Sequence, residues 1–280
     1  MTGMDLGRFG IWRHGGSIGP DLARGVERLG YGTIWLGGSP SGDLADAEGV
    51  LAATDHVVVG TGIVNMWATS AEEVAASYHR LEDAYPGRFL LGVGIGHPEA
   101  TKEYRSPYAT IVDYLDKLDA AEVPEERRVL AALGPKVLRL STERAAGAHP
   151  YLVPPEHTRQ ARETLGDGPL LAPEQKVVVD TDADRARELG RKNVANPYLK
   201  LVNYTGNLKR LGWSERDIAD GGSDALVDVL ALHGDAATIA AGLTAHLDAG
   251  ADHVAVQALT RRGEDPLPAL RAVAETLKLA

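Results

Sequence analysis

Short runs of consecutive apolar residues alternate along this chain with longer stretches whose apolar side chains recur at helical spacing. Eight runs stand out: Phe9–Trp12, Thr33–Leu36, His56–Val64, Phe89–Ile95, Val129–Leu133, Ala148–Val153, Gln175–Val179 and His253–Gln257. Val57-Val58-Val59 and Val177-Val178-Val179 are apolar without alternation, as strands covered on both faces are. Three joins repeat a pattern of amphipathic run, glycine, then apolar run, at Gly30, Gly147 and Gly250. A glycine there predicts a left-handed helix stop before the next strand. Helix starts are marked by Ser70 with Glu73 as a capping box, by Pro135 in a first turn and by Asp235 as an N-cap.

Eight strands alternating with helices through short joins predict a parallel sheet closed into a (β/α)₈ TIM barrel. The whole chain, 1–280, reads as one such domain, with no linker to divide it. One stretch breaks the rhythm. Between strands seven and eight, 196–234 reads as a short helical insertion with pieces at Tyr198–Leu211, Ser214–Asp220 and Asp224–Leu232. An insertion there would lie over the barrel mouth.

Composition narrows the function. A formal charge of -10 leaves no basic stripe for nucleic acid or an anionic membrane surface. The chain holds no cysteine, which removes disulfides, thiolate metal sites and cysteine nucleophiles. It shows no signal-type start and no run of 18 apolar residues, so the expected location is cytoplasmic. No H-E-x-x-H or G-x-S-x-G motif and no tight His/Asp/Glu cluster occurs, so no metal is expected.

Barrel chemistry sits just after the strands, and the residues there are the candidates. His14 and His97 follow strands one and four and are candidates for proton transfer, or are merely exposed. Gly92, Gly94 and Gly96 do not have the dinucleotide spacing G-x-G-x-x-G, but they let a flat ligand approach the backbone. Gly134 before Pro135 offers free amides at a helix start, either as a phosphate cradle or as an ordinary turn. His157 beside Glu156 stands in a first helical turn, and Trp12, Trp35 and Trp67 wall a flat ligand or pack the core. His149 and His253, placed at strand beginnings, read as structural.

These segments together resemble the bacterial luciferase-like family, in its branch dependent on the deazaflavin coenzyme F420. The resemblance rests on Gly60-Thr61-Gly62-Ile63-Val64-Asn65, Phe89-Leu90-Leu91-Gly92-Val93-Gly94, Leu133-Gly134-Pro135, Gly147-Ala148-His149-Pro150-Tyr151-Leu152-Val153 and the stretch Leu247 to Val254. It implies a (β/α)₈ barrel, a non-proline cis peptide at Gly62–Ile63 backing the coenzyme ring, and homodimerisation through helices on one flank. It also implies ring-edge contacts from Gly94 and Ile95 and phosphate contacts from Leu133, Gly134 and the helix start after them; Gly37, Gly62, Ile63, Asn65, Val93, Gly96, Pro155 and His157 complete the expected coenzyme-binding residues. His97 matches the position of a catalytic carboxylic acid in the family's sugar-phosphate dehydrogenase. That relative's Asp-His pair after strand two is replaced here by Leu36-Gly37, which argues against sugar-phosphate oxidation. The implied activity is hydride transfer between F420 and a small organic substrate, with His97 or His14 handling the proton. An FMN-dependent monooxygenase or a non-catalytic flavin binder is the alternative.

Overall fold

In the computed structural model, which describes residues 4–96 and 106–280, each apolar run gives a strand with helices packed outside it. The order is β1 (Phe9–His14), α1 (Pro20–Arg28), β2 (Thr33–Gly37), α2 (Ala45–Ala53), β3 (Val58–Gly62), β4 (Val64–Asn65), α3 (Ala71–Ala84) and β5 (Phe89–Gly94). There follow α4 (Pro107–Ala120), β6 (Arg128–Leu130), α5 (Pro135–Arg144), β7 (Gly147–Ala148), α6 (Pro155–Leu165), β8 (Leu170–Leu171), β9 (Glu174–Val179) and α7 (Ala183–Ala195). The chain ends with α8 (Val202–Arg210), α9 (Glu215–Ile218), α10 (Asp224–Leu230), β10 (Ala231–Gly234), α11 (Ala236–Asp248), β11 (Val254–Ala258) and α12 (Leu267–Leu277). All residues of β2 and β5 are buried, which is why their sequences carry no polar alternation.

The ladders are parallel and run β11-β1-β2-β3-β5-β6-β7-β8. The ring closes because β8 and β9 are two halves of one stretch, broken at Pro173, which has no N–H for a ladder. β8 pairs with β7, β9 pairs with β11, and the Asp252 amide donates to the Leu171 carbonyl across the join. The observed fold is therefore the expected (β/α)₈ TIM barrel. Leu6, Trp12, Trp35, Val58, Leu90, Val129 and Ala255 belong to one buried cluster, and Ile11, Ile34, Val59 and Leu91, with the opposite parity on the same strands, belong to another with the helices.

Several boundaries differ from expectation. Residues Ala231–Gly234, partly assigned above to a helix, form β10, a strand outside the ring that pairs with Lys176–Val179 of β9. The helix stops at Leu230 because the next four residues pair with β9, and Asp235 then starts the following helix, accepting from the Thr238 amide at 2.8 Å. The run His56–Val64 is two strands, separated at Ile63, and the Gly62–Ile63 peptide is cis. Of the run Ala148–Val153 only Ala148 is in β7, which is Gly147–Ala148, since Pro150 and Pro154 lack an N–H and Leu152 has φ of 56°. Gly30 and Gly250 are left-handed stops at φ 84° and 100°. Gly147 is not: at φ 151° it permits close backbone approach, and a Cβ there would lie 1.9 Å from the Leu170 carbonyl oxygen. Ser70 caps α3 by accepting from the Glu73 amide.

Candidate functional site

At the carboxyl ends of the strands a cavity of about 360 Å³ opens, within the size range of small-molecule sites. One wall is the end of β3 and β4 with Gly62, Ile63 and Asn65, continued by Ile95 and Gly96 after β5. Ala131 to Gly134, between β6 and α5, carry it outward, and Pro107 and Ile111 of α4 close that side. Trp12 and His149 line it beside Gly62, Tyr151 lines it as well, and Tyr198, Asn203 and Tyr204 come from the insertion. The wall is mostly apolar or glycine, so a flat ring can lie against it. Gly94 lies beneath, where an added Cβ would meet Ala131 Cβ at 2.8 Å and the Ile63 side chain at 3.0 Å. Val93 is wholly buried in the strand layer and does not line the cavity.

The other expected residues are placed more indirectly. Gly37 does not line the cavity; an added Cβ would lie 1.8 Å from Trp12 Cζ2, so this glycine makes room for the indole. His157 is buried, and its Nε2 bonds the Leu133 carbonyl at 2.9 Å, so it holds the Leu133–Gly134 turn without reaching the cavity. Pro155 is the first residue of the same helix, α6. Gly134 caps α5, and an added Cβ would lie 3.9 Å from Arg210 Nη2, which places a cation beside the free amides of that helix start. His14 ends β1 on the exposed side, edge-on to Trp12 at 5.3 Å. Burial of its ring first, then Arg13 and Lys176, lowers its pKa below the usual histidine value. His97 lies outside the described residues.

Two groups of site residues escaped the sequence reading. His149, assigned above to a strand beginning, follows the very short β7 and so reaches the cavity instead. Its ring stacks on Trp35 at 4.1 Å, and Nδ1–H donates to the Ala172 carbonyl at 2.6 Å. Complete burial pushes its pKa down to about 4, so the ring is neutral and Nε2 carries a lone pair. The second group is an ion pair inside the barrel. Lys176 Nζ stands 3.1 Å from Glu174 Oε1 and 3.9 Å from the centre of the Tyr151 ring. Glu174 Oε2 accepts from the Leu152 amide, and Tyr151 donates to Gln257 Oε1 while its hydroxyl accepts from Tyr198. Burial raises the Glu174 carboxyl and lowers the Lys176 ammonium, each pulled back toward its charged form by the other. The signal was present in the sequence: a lysine in an apolar run, with a glutamate two residues away on the same strand face.

Among the described residues no group of three or more His, Asp or Glu is placed to hold a metal ion. No described helix is long and apolar enough to cross a membrane. A parallel barrel with a cavity at its carboxyl rim defines the (β/α)₈ class whose ligands bind at that face. Within that class the chain belongs to the luciferase-like monooxygenase family, whose model matches residues 17–253. A search of curated proteins found no match. Among solved structures, the fold is similar to an F420-dependent secondary alcohol dehydrogenase in complex with an F420-acetone adduct, with 15% identity, TM-score 0.74, and 97% of this chain and 98% of that one covered. It is also similar to the coenzyme F420-dependent tetrahydromethanopterin reductase from Methanopyrus kandleri, with 16% identity, TM-score 0.70, and 97% and 98% covered. A third is the oxygenating constituent of 3,6-diketocamphane monooxygenase from Pseudomonas putida in complex with FMN, with 14% identity, TM-score 0.68, and 95% and 96% covered.

Proposed function

We propose that this protein is an oxidoreductase that transfers a hydride between the deazaflavin coenzyme F420 and a small organic substrate. The observation that carries the reading is the cavity: an apolar, glycine-edged wall, polar nitrogens at its base, and a helix start with Arg210 near its rim. These residues fit a flat ring with a polar edge and an anionic tail. Ile63, Ile95 and the Ala131–Gly134 segment would hold the ring, and the amides at the start of α5 with Arg210 would hold the tail. When bound, F420 supplies a two-electron hydride donor or acceptor that does not form the oxygen adducts of flavins.

The chain's own residues do the rest. Tyr198 and Tyr204 help exclude water, the apolar wall fixes orientation, and preorganised contact lowers the barrier. Proton transfer is assigned to His14, whose pKa is lowered by burial and which stands edge-on to Trp12 of the cavity lining. His97 keeps the role expected from the sequence only as a proposal. The similarity to an FMN complex gives a second reading, that of an FMN-dependent monooxygenase. The two separate in one assay. Reduced F420 is offered with ketones, imines and enones while its reoxidation is followed, and reduced FMN is offered alongside while oxygen is recorded. Reoxidation of F420 by one substrate class without oxygen uptake is the expected result. Oxygen uptake with FMN alone would move the reading to a monooxygenase.

A further inference from the structure

At the base of the cavity two nitrogens are almost wholly buried and have no hydrogen-bond partner among the described residues: Trp12 Nε1 and His149 Nε2. Trp12 is 4% exposed and His149 2%. Both point at one place. A Cβ on Gly62 would lie 2.8 Å from the indole nitrogen and 3.0 Å from the imidazole nitrogen, so both nitrogens face the narrow gap that the missing side chain leaves beside the cavity wall. Their chemistry is opposite. The indole N–H is a donor only. The imidazole is fixed as the Nδ1–H tautomer by the Ala172 carbonyl, which can only accept, so Nε2 is an acceptor only. The Trp35 stack and the Ala172 bond hold that ring in place.

Unsatisfied buried polar groups are uncommon because each forfeits its hydrogen bonds to water. A donor and an acceptor side by side, both lining a ligand cavity, imply an occupant that offers the converse. We propose that Trp12 Nε1 and His149 Nε2 form a specificity-determining floor, reading a ligand group that presents an acceptor and a donor on the same or neighbouring atoms. A hydroxyl does so, and so does the N–H/C=O edge of a heterocyclic imide. The first would come from the substrate and the second from the coenzyme ring. The inference rests on the function proposed above. It also accounts for glycine at position 62, since any side chain there would stand between the ligand and both nitrogens.

The test uses two variants that spare the structural contacts. Trp12→Phe keeps a flat ring without the N–H. His149→Asn keeps a donor for the Ala172 carbonyl and removes Nε2. Binding of F420 and of FMN is measured by fluorescence for each variant and for the native protein. In parallel the Trp12 indole and His149 ring-nitrogen resonances are followed by NMR, assigned by their loss in the variants. If the floor reads the coenzyme, each variant binds it about tenfold more weakly, and both resonances move when it is added to the native protein. If it reads the substrate, coenzyme affinity is unchanged, and the resonances move only when 2-propanol is added to the coenzyme-saturated protein. Coenzyme binding with both resonances unmoved by either addition would overturn the floor and leave the proposed function standing. Failure of the native protein to bind either coenzyme would instead sink the proposed function, and this inference with it.

Discussion

Lys176 shows at the scale of one residue how the barrel sets its own interior charge. Its ammonium and the Glu174 carboxylate are both out of water, and each offsets the other's burial across 3.1 Å, helped by the Leu152 amide on Glu174 and the Tyr151 ring under Lys176. Lys176→Met would leave Glu174 buried with the Leu152 amide as its remaining partner. We expect a loss of about 3–5 kcal/mol in chemical denaturation, and recovery of most of it when Glu174→Gln is added. Equal destabilisation by the single and double variants would mean that the pair is not the reason. The arrangement was half legible in the sequence. The i, i+2 spacing gives a shared strand face, but whether that face points into the barrel depends on pairing with β11, which no local pattern encodes. His149 was harder to place. Its role turns on β7 ending at Ala148, and the shortness of that strand comes from prolines and from Leu152 at positive φ.

At the scale of elements, the alternation of buried runs with amphipathic ones carried the architecture, because strands buried on both faces must be apolar throughout. What it could not carry was pairing at a distance. β10 looks like the tail of a helix because no glycine or proline separates it from Asp224–Leu230 and it ends only at Gly234; the partner strand Lys176–Val179 makes it a strand. The candidate site was legible in the same uneven way. Strand-end glycines and Ile63, Asn65 and Ile95 meet at one wall, whereas Gly37 and His157 act on neighbours, supporting Trp12 and Leu133. Gly147 gives a test of the closure. Its φ of 151° and the 1.9 Å approach to Leu170 mean that Gly147→Ala must separate β7 from β8. We expect about 3 kcal/mol or more of destabilisation, or failure to fold, read as the denaturation midpoint or the yield of folded protein. A change within about 0.5 kcal/mol would contradict the pairing that closes the ring.

For the whole molecule, the buried histidines predict how stability follows pH. Burial lowers His149 and His253 to about 4 and His246 to about 3, from 6.5 in the unfolded chain. Between pH 6.5 and 4 the unfolded state therefore binds more protons than the native one. Stability is full above pH 6.5 and falls as the pH drops, by up to about 1.4 kcal/mol per histidine for each pH unit. Glu174, whose carboxyl burial raises, acts in the opposite sense and offsets part of this slope. Melting temperature measured from pH 8 to 5 should decline on the acid side, and less steeply in His253→Phe, which removes one titrating ring. A flat profile would contradict the neutral burial of these rings.

The function proposed for the cavity is that of a coenzyme site with a preference for the deazaflavin. The most direct test is a parallel fluorescence titration of the purified protein with F420, FMN and the nicotinamide coenzymes. Saturable binding of F420 is expected at about micromolar concentration, and tighter than that of the others. Preference for FMN, or binding of none of them, would contradict it.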